Sequence, residues 1–346
     1  MAKRVDMQLQ QEFGFVLHVG IPHMNYMVQL NNLKKEYGQD YDEIHTHSFP
    51  GTSCFYYWSD NHHDDMVLED FSFRDSNGKI CHVDAGNRGE MVKYWEAVGS
   101  DMDNWGDYYD HDYKMEQVKF PNFKEHFSKM AIENNIDEAF LEKPLCVINN
   151  KSTEEQGEMN RALNRIEKDK LKFICDTFGD THTVVYFRAE FNKKTSSNES
   201  DKNIFKGKHS ERGYVVDDAF QIEWDEKEWL KEKYPDVILD NDLLDKFKNF
   251  NYNEIQCMIH SLSETHFSVP GGTAVLASYF GGTNIIIGEF VTSRGIWKND
   301  SHLKLISGSN IIGLTGREEE KNVYDNGWKT SIQDYYETLN KVETKV

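Results

Sequence analysis

Residues 264–289 read ETHFSVPGGTAVLASYFGGTNIIIGE, and the order of residue types in this stretch decides the fold. Residues 266–269 are a short β-prone run, and Pro270-Gly271-Gly272 breaks it. Residues 273–280 are mostly apolar and predict a helix of about two turns. Gly281-Gly282-Thr283 closes that helix, and residues 284–287 begin a buried strand. Strand, tight turn, helix and strand make one βαβ unit, whose two strands are expected to be parallel. The first glycine pair lets a ligand approach backbone N–H groups at the start of a helix, where the dipole favours an anion. Ser268 and Thr273 add hydroxyls. Two readings stand at this point. The turn is a seat for a phosphate or diphosphate, or both glycine pairs only let a helix pack closely on a sheet. No P-loop pattern decides between them.

The rest of the chain repeats the alternation. Residues 13–19 (FGFVLHV) predict a first strand, and Gly20-Ile21-Pro22-His23 turns into an amphipathic helix over 24–37. Residues 43–47 (EIHTH) predict a second strand, followed by a turn at 49–53 and the aromatic run 55–58. Asn77-Gly78 predicts a hairpin with arms 71–74 and 79–83. Further helices are expected at 91–98, 123–134, 137–141, 158–172, 226–234, 242–247, 252–263 (with Asn253 as its N-cap) and 332–342. Further strands are expected at 144–149, 183–187, 236–239 and 310–314. This pattern favours an α/β fold with two largely parallel sheets. The division is placed at residues 1–160 and 161–330, with a C-terminal helix in 331–346.

Composition narrows the function classes. The net charge of -20 repels nucleic acid and anionic lipid, so a phosphate-bearing ligand needs a local site. Aromatic residues at 13% argue for packed cores. The five cysteines are scattered singly with no CxxC pair, which predicts reduced thiols and a cytoplasmic setting. No apolar run is long enough to span a membrane, and no signal segment is expected at the N-terminus.

Several residue groups could carry chemistry. His23 follows the first expected strand and is a candidate general base, or else a surface or capping histidine. His45 and His47 share a strand face, and His62-His63-Asp64-Asp65 and Asp110-His111-Asp112 add nitrogen and oxygen donors. These would suit a divalent-metal hydrolase, although no fixed ligand spacing such as HExxH is present and, in a chain this rich in Asp and His, solvated loops explain the clusters. Asp101-Met102-Asp103 matches a DxD pattern but lacks the apolar strand that would present it. Arg188 ends the strong strand 183–187 and is expected at the sheet edge that carries Gly271 and Gly272, where it would pair with a diphosphate or with an acidic neighbour. Glu289 and Arg294 flank the end of the last strand of the opening unit, in reach of a ribose or base.

Three segments, KPLCVINNK (143–151), TVVYFR (183–188) and the block SVPGGTAVLASYFGGTNIII (268–287), resemble GT-B-type glycosyltransferases, in particular poorly characterised ones from bacteria and large DNA viruses. The resemblance covers about residues 143–289. It implies two Rossmann-like domains facing a cleft, the second holding a nucleotide-sugar and the first an acceptor, with a last helix that crosses back to the first domain. It implies transfer of a sugar to a hydroxyl of a glycan or glycoprotein, without a metal or other required cofactor. It implies Arg188, Ser268, Gly271, Gly272, Thr273 and Glu289 around the donor, with His23 as first candidate for the base and Asp60 or Asp65 behind it. If the chain is viral, the host cytoplasm is the implied location. A metal-dependent hydrolase and a non-catalytic carbohydrate-binding protein remain the alternatives.

Overall fold

The structure is a computed structural model that describes residues 4–8, 17, 21, 43–47, 51–63, 120–140, 142–150, 165–188, 226–288, 303–314 and 327–343. Within these residues the chain is α/β, with two sheets that are parallel throughout. The smaller sheet has the order β1 (Arg4–Gln8), β2 (Glu43–His47), β3 (Asn61–His63). Of the expected first strand at 13–19 only Leu17 is among the described residues. Arg4–Gln8 is the strand that pairs with β2, and Leu17 lies in helical backbone, where its side chain is fully buried. The hairpin at 71–83 and the helices at 24–37 and 91–98 lie outside the described residues.

The larger sheet holds six strands in the order β6 (Ile238–Leu239), β5 (Thr183–Phe187), β4 (Leu145–Asn149), β7 (Ser263–Ser268), β8 (Thr283–Ile287), β9 (Asn310–Leu314). Numbered along the chain within this unit, the order is 3-2-1-4-5-6, that of a doubly wound sheet whose switch point lies between β4 and β7. β4, placed in the first domain by the sequence division, is therefore a central strand of the second sheet.

The alternation along each strand sorts the core into two layers. Leu145, Val147, Val185, Phe187 and Ile286 face one side. They pack beneath α1 (Phe123–Glu133), α4 (Asp240–Lys246), α5 (Tyr252–Ser261) and α6 (Gly272–Ser278). Cys146, Ile148, Val184, Tyr186, Phe267 and Ile285 face the other side. They meet α2 (Lys168–Phe178), α3 (Glu226–Lys233) and α8 (Gly327–Glu343). The short α7 (Leu303–Ser307) joins the first layer and packs on α6. A strand run that is apolar on both faces, as in LCVIN, is what a sheet covered on both sides requires.

Local details shift three boundaries for identifiable reasons. α2 begins at Lys168, not 158, because its apolar stripe is Leu171, Ile174, Cys175 and Phe178 at helical spacing, while Glu167 before it is extended. α5 is capped by Asn251, whose Oδ1 accepts from the Glu254 N–H at 2.9 Å while Glu254 Oε2 accepts from the Asn251 N–H at 2.8 Å. Asn253, the expected cap, instead donates from Nδ2 to the Gly51 carbonyl at 2.9 Å, tying the two units together. α8 places Ile332 in the second core layer, stacks Tyr336 edge-on to Phe178 at 5.2 Å and hydrogen-bonds Tyr335 to Thr265 at 2.9 Å. The C-terminal helix thus packs on the second core layer of the large sheet.

The units share one core layer. Leu17, Ile21, Phe55 and Tyr56 pack into the cluster that holds Phe123, Phe127, Tyr279 and Phe280. The Tyr279 hydroxyl donates to the Leu17 carbonyl at 2.6 Å, and Tyr57 stacks on His126 at 3.7 Å between centroids. Each fully buried aromatic contributes about 2–3 kcal/mol by burial alone, so this cluster is a main tie between the sheets.

Candidate functional site at the switch point

The carboxyl ends of β4 and β7 lie side by side, with Asn149 opposite Ser268. Ligands in open α/β sheets bind in the crevice outside such a pair. The chain leaves β7 through Val269 and Pro270 into Gly271, whose φ of 138° and ψ of -164° only glycine tolerates. Gly272 then opens α6, and the first N–H groups of a helix have no acceptor within it. Thr273 Oγ1 is buried with no hydrogen-bond partner among the described residues. The first glycine pair therefore sits at the crevice.

The second pair does something else. Gly282 has φ 64°, and a Cβ there would stand 2.5 Å from the Glu264 carbonyl oxygen, at the opposite, amino edge of the sheet. Of the two readings of the glycines, close packing holds for Gly281-Gly282, and the ligand reading survives for Gly271-Gly272 alone.

Ser268 does not face the crevice as a free hydroxyl. It is fully buried and donates to Asn284 Oδ1 at 2.7 Å. Asn284 Nδ2 in turn donates to the Ala274 carbonyl at 2.8 Å and to Ser278 Oγ at 3.1 Å. Ser268 and Asn284 thus lock α6 onto β7 and β8, a positioning role that its place in the sequence did not reveal.

Beneath the crevice lies a buried polar chain absent from the sequence reading. Asn149 Oδ1 accepts from Gln256 Nε2 at 2.9 Å, and the Asn149 amide meets His260 Nε2 at 2.9 Å. His260 Nδ1 lies 3.1 Å from His266 Nδ1, and His266 Nε2 has no partner among the described residues. Burial drives both imidazoles to the neutral form. It lowers His266 to about 3, with Lys124 adding repulsion, and takes His260 well below its usual value, with His266 adding to the effect. The only sequence signal was two histidines six residues apart, on an apolar helix and the strand that follows it.

Arg188 ends β5, on the opposite layer from α6. Two strand spacings separate β5 from β7, about 10 Å. Its guanidinium pairs with Glu226, and its backbone N–H donates to Asp240 Oδ2 at 3.0 Å. Lys227 Nζ lies 2.6 Å from Asp240 Oδ1, and the Tyr186 hydroxyl donates to Glu226 Oε1 at 3.2 Å. Burial works against the Arg188 charge, but the Glu226 carboxylate overrides it and the pKa is raised. Burial also raises the Asp240 carboxyl, against the pull of Lys227. Arg188 is thus held in a buried ion network whose acidic partner among the described residues is Glu226.

On the smaller sheet, β2 and β3 carry His45 and His63 on one face. Their rings stack at 5.1 Å, with His45 Nδ1 2.8 Å from His63 Nε2 and Asn61 Nδ2 3.4 Å from His45 Nε2. On the other face Thr46 Oγ1 meets His62 Nδ1 at 2.8 Å, and His62 stacks on Tyr56. Asp60 is exposed and precedes β3, on the amino side of that strand. His23, Asp65, Glu289 and Arg294 lie outside the described residues, as do Asp101, Asp103 and Asp110 to Asp112. Among the described residues no three His, Cys, Asp or Glu side chains converge as a metal-binding group, and no helix is long and apolar enough to cross a membrane. The contact from Asn253 to Gly51 joins the loop leaving β2 to the start of α5. α5 feeds directly into β7, so its first residues lie toward the carboxyl edge of the large sheet.

No family model matches the sequence, and no curated protein matches it. Two solved structures are similar over most of the chain. One is the E. coli heptosyltransferase WaaC with ADP, at 10% identity, covering 96% of this chain and 99% of that one with a TM-score of 0.39. The other is the wall teichoic acid polymerase TagF with CDPG, at 9% identity, covering 97% and 83% with a TM-score of 0.31. What stands on its own coordinates is a Rossmann-like α/β chain with two parallel sheets and a glycine turn at the switch point of the larger one.

Proposed function

We propose that the chain is a glycosyltransferase that moves a sugar from a nucleotide-sugar to a hydroxyl of a glycan or glycoprotein, with no bound metal required. The observation that carries the reading is the place of SVPGG, the start of the block that carries most of the sequence resemblance, at the switch-point crevice. In this reading the donor diphosphate sits on the backbone N–H groups of Gly272 and Thr273 and on the Thr273 hydroxyl. Those donors stabilise the charge that develops on the leaving nucleoside diphosphate. Ser268 acts through Asn284 to hold the turn, and Arg188 braces the crevice wall through Glu226.

The acceptor lies on the smaller sheet, and the unit boundary falls before Phe120, so that α1 and β4 belong to the donor unit. A proton acceptor is needed if the transfer inverts the anomeric centre. His63 at the carboxyl end of β3 has the geometry for it. Its ring is oriented by His45, whose Nδ1 lies 2.8 Å from His63 Nε2. His23, Asp60 and Asp65 remain the candidates named by the sequence. A cytoplasmic setting belongs to the same proposal.

Isothermal titration with UDP, GDP, ADP and CDP, each with and without Mg²⁺, tests the reading. Binding of one of them in the presence of EDTA is expected. Absence of binding to all four would remove the nucleotide-sugar reading, and strictly metal-dependent activity would favour the hydrolase alternative.

A further inference from the structure

The described cysteines Cys54, Cys146, Cys175 and Cys257 are all free thiols, but they are not equivalent. Asn253 and Cys257 are four residues apart on α5 and so lie on one helix face. Asn253 reaches Gly51, and Cys54 follows Gly51 by three residues, in the 3-10 turn Ser53–Tyr56. The same helix face therefore presents Cys257 to Cys54. Cys257 is fully buried in the layer shared by the two units, and half-buried Cys54 packs against that layer. The two thiols meet side chain to side chain across the boundary between the units.

We propose that Cys54 and Cys257 form a dithiol site that a low-molecular-weight disulfide oxidises to an intramolecular disulfide, fastening the turn after β2 to α5. Cys54 is the entry thiol, because it is the more accessible of the pair. Its thiolate attacks one sulfur of glutathione disulfide, forms a mixed disulfide and releases one glutathione. Cys257 then loses its proton to solvent, attacks the Cys54 sulfur and releases the second glutathione. The net change is protein dithiol plus glutathione disulfide giving protein disulfide plus two glutathiones. Burial holds the Cys257 thiol well above its usual pKa, so this second step is the slow one. The link closes a loop of more than half the chain, so the oxidised protein unfolds at a higher temperature.

The second neighbouring pair supplies an internal control. Cys146 and Cys175 also sit close to each other, but both are buried within the second layer of the large sheet, where glutathione disulfide does not reach.

The experiment treats the folded full-length chain with glutathione disulfide and maps it by non-reducing peptide mass spectrometry. A Cys54–Cys257 peptide that has lost two hydrogens is expected, together with reduced Cys146 and Cys175 and an upward shift of the unfolding midpoint reversed by dithiothreitol. Cys257→Ser should stop at a glutathione adduct on Cys54, and Cys54→Ser should take up none at Cys257. A wild-type adduct that persists on Cys54 without closing the link would overturn the proposal. So would an unmodified Cys54, or a link that forms only in denaturant.

Discussion

The buried pair His260 and His266 makes a quantitative prediction about acid. Both imidazoles have no solvent exposure, and their facing Nδ1 atoms share a single N–H. A second proton would set two N–H groups against each other in a medium that also disfavours charge. The folded protein therefore keeps both rings neutral down to about pH 3 for His266, with His260 also lowered well below the usual range. In the unfolded chain each ring takes up a proton below about pH 6.5. The unfolded state then binds more protons, so stability is full above that pH and is lost as pH falls through the window between the two values. At pH 5 the loss is about 2 kcal/mol for His266, with a slope of about 1.4 kcal/mol per pH unit, and His260 adds to it in the same direction. That is a large part of a typical total of about 5–15 kcal/mol. Asp240, whose carboxyl is raised by burial, works in the opposite direction, while His126, lowered by burial, adds to the slope. Urea unfolding followed by tryptophan fluorescence between pH 7.5 and 5 measures it. The midpoint should fall with acid, and His266→Gln should make the slope shallower by about 1.4 kcal/mol per pH unit whatever it does to stability at pH 7.5. A midpoint that stays level across this range, or a variant with the wild-type slope, would refute the reasoning.

Three further outcomes follow from the geometry. Arg188→Ala leaves Glu226 buried without its cation and should cost about 3–5 kcal/mol of stability, read by thermal or urea unfolding; an unchanged midpoint would show that the pair is dispensable. Gly282→Ala combines a left-handed φ of 64° with a 2.5 Å approach to the Glu264 carbonyl, and should destabilise by roughly 2 kcal/mol or more. Thr273→Val removes a hydroxyl that has no partner among the described residues, so the unfolding midpoint should hold or rise. Affinity for the nucleoside diphosphate found by titration should fall about 5- to 10-fold, and an unchanged affinity would take Thr273 out of the site.

The sequence by itself determined the second unit well. Runs such as LCVIN, TVVYF and TNIII are apolar on both faces, and only a strand covered by helices on each side accommodates that, so β4, β5 and β8 were legible within a residue. The βαβ unit at 264–289 followed from its glycines, because turns that demand positive φ mark their own position. The N-terminal unit was less legible. The apolar run 13–19 has no period that separates a strand from a buried helix, and the strand that does pair with β2, RVDMQ, carries little apolar signal. What only the tertiary structure decided is which residues meet. The crossover order puts β4 between β5 and β7, and Arg188 at the end of β5 finds Glu226, thirty-eight residues along the chain, as a partner. Ser268 is spent on Asn284, and His260, His266, Asn149 and Gln256 come together under the crevice from three separate elements. Local patterns record propensity and burial along one segment, whereas partner choice depends on strand order and helix placement, and these are fixed by the packing of the whole core.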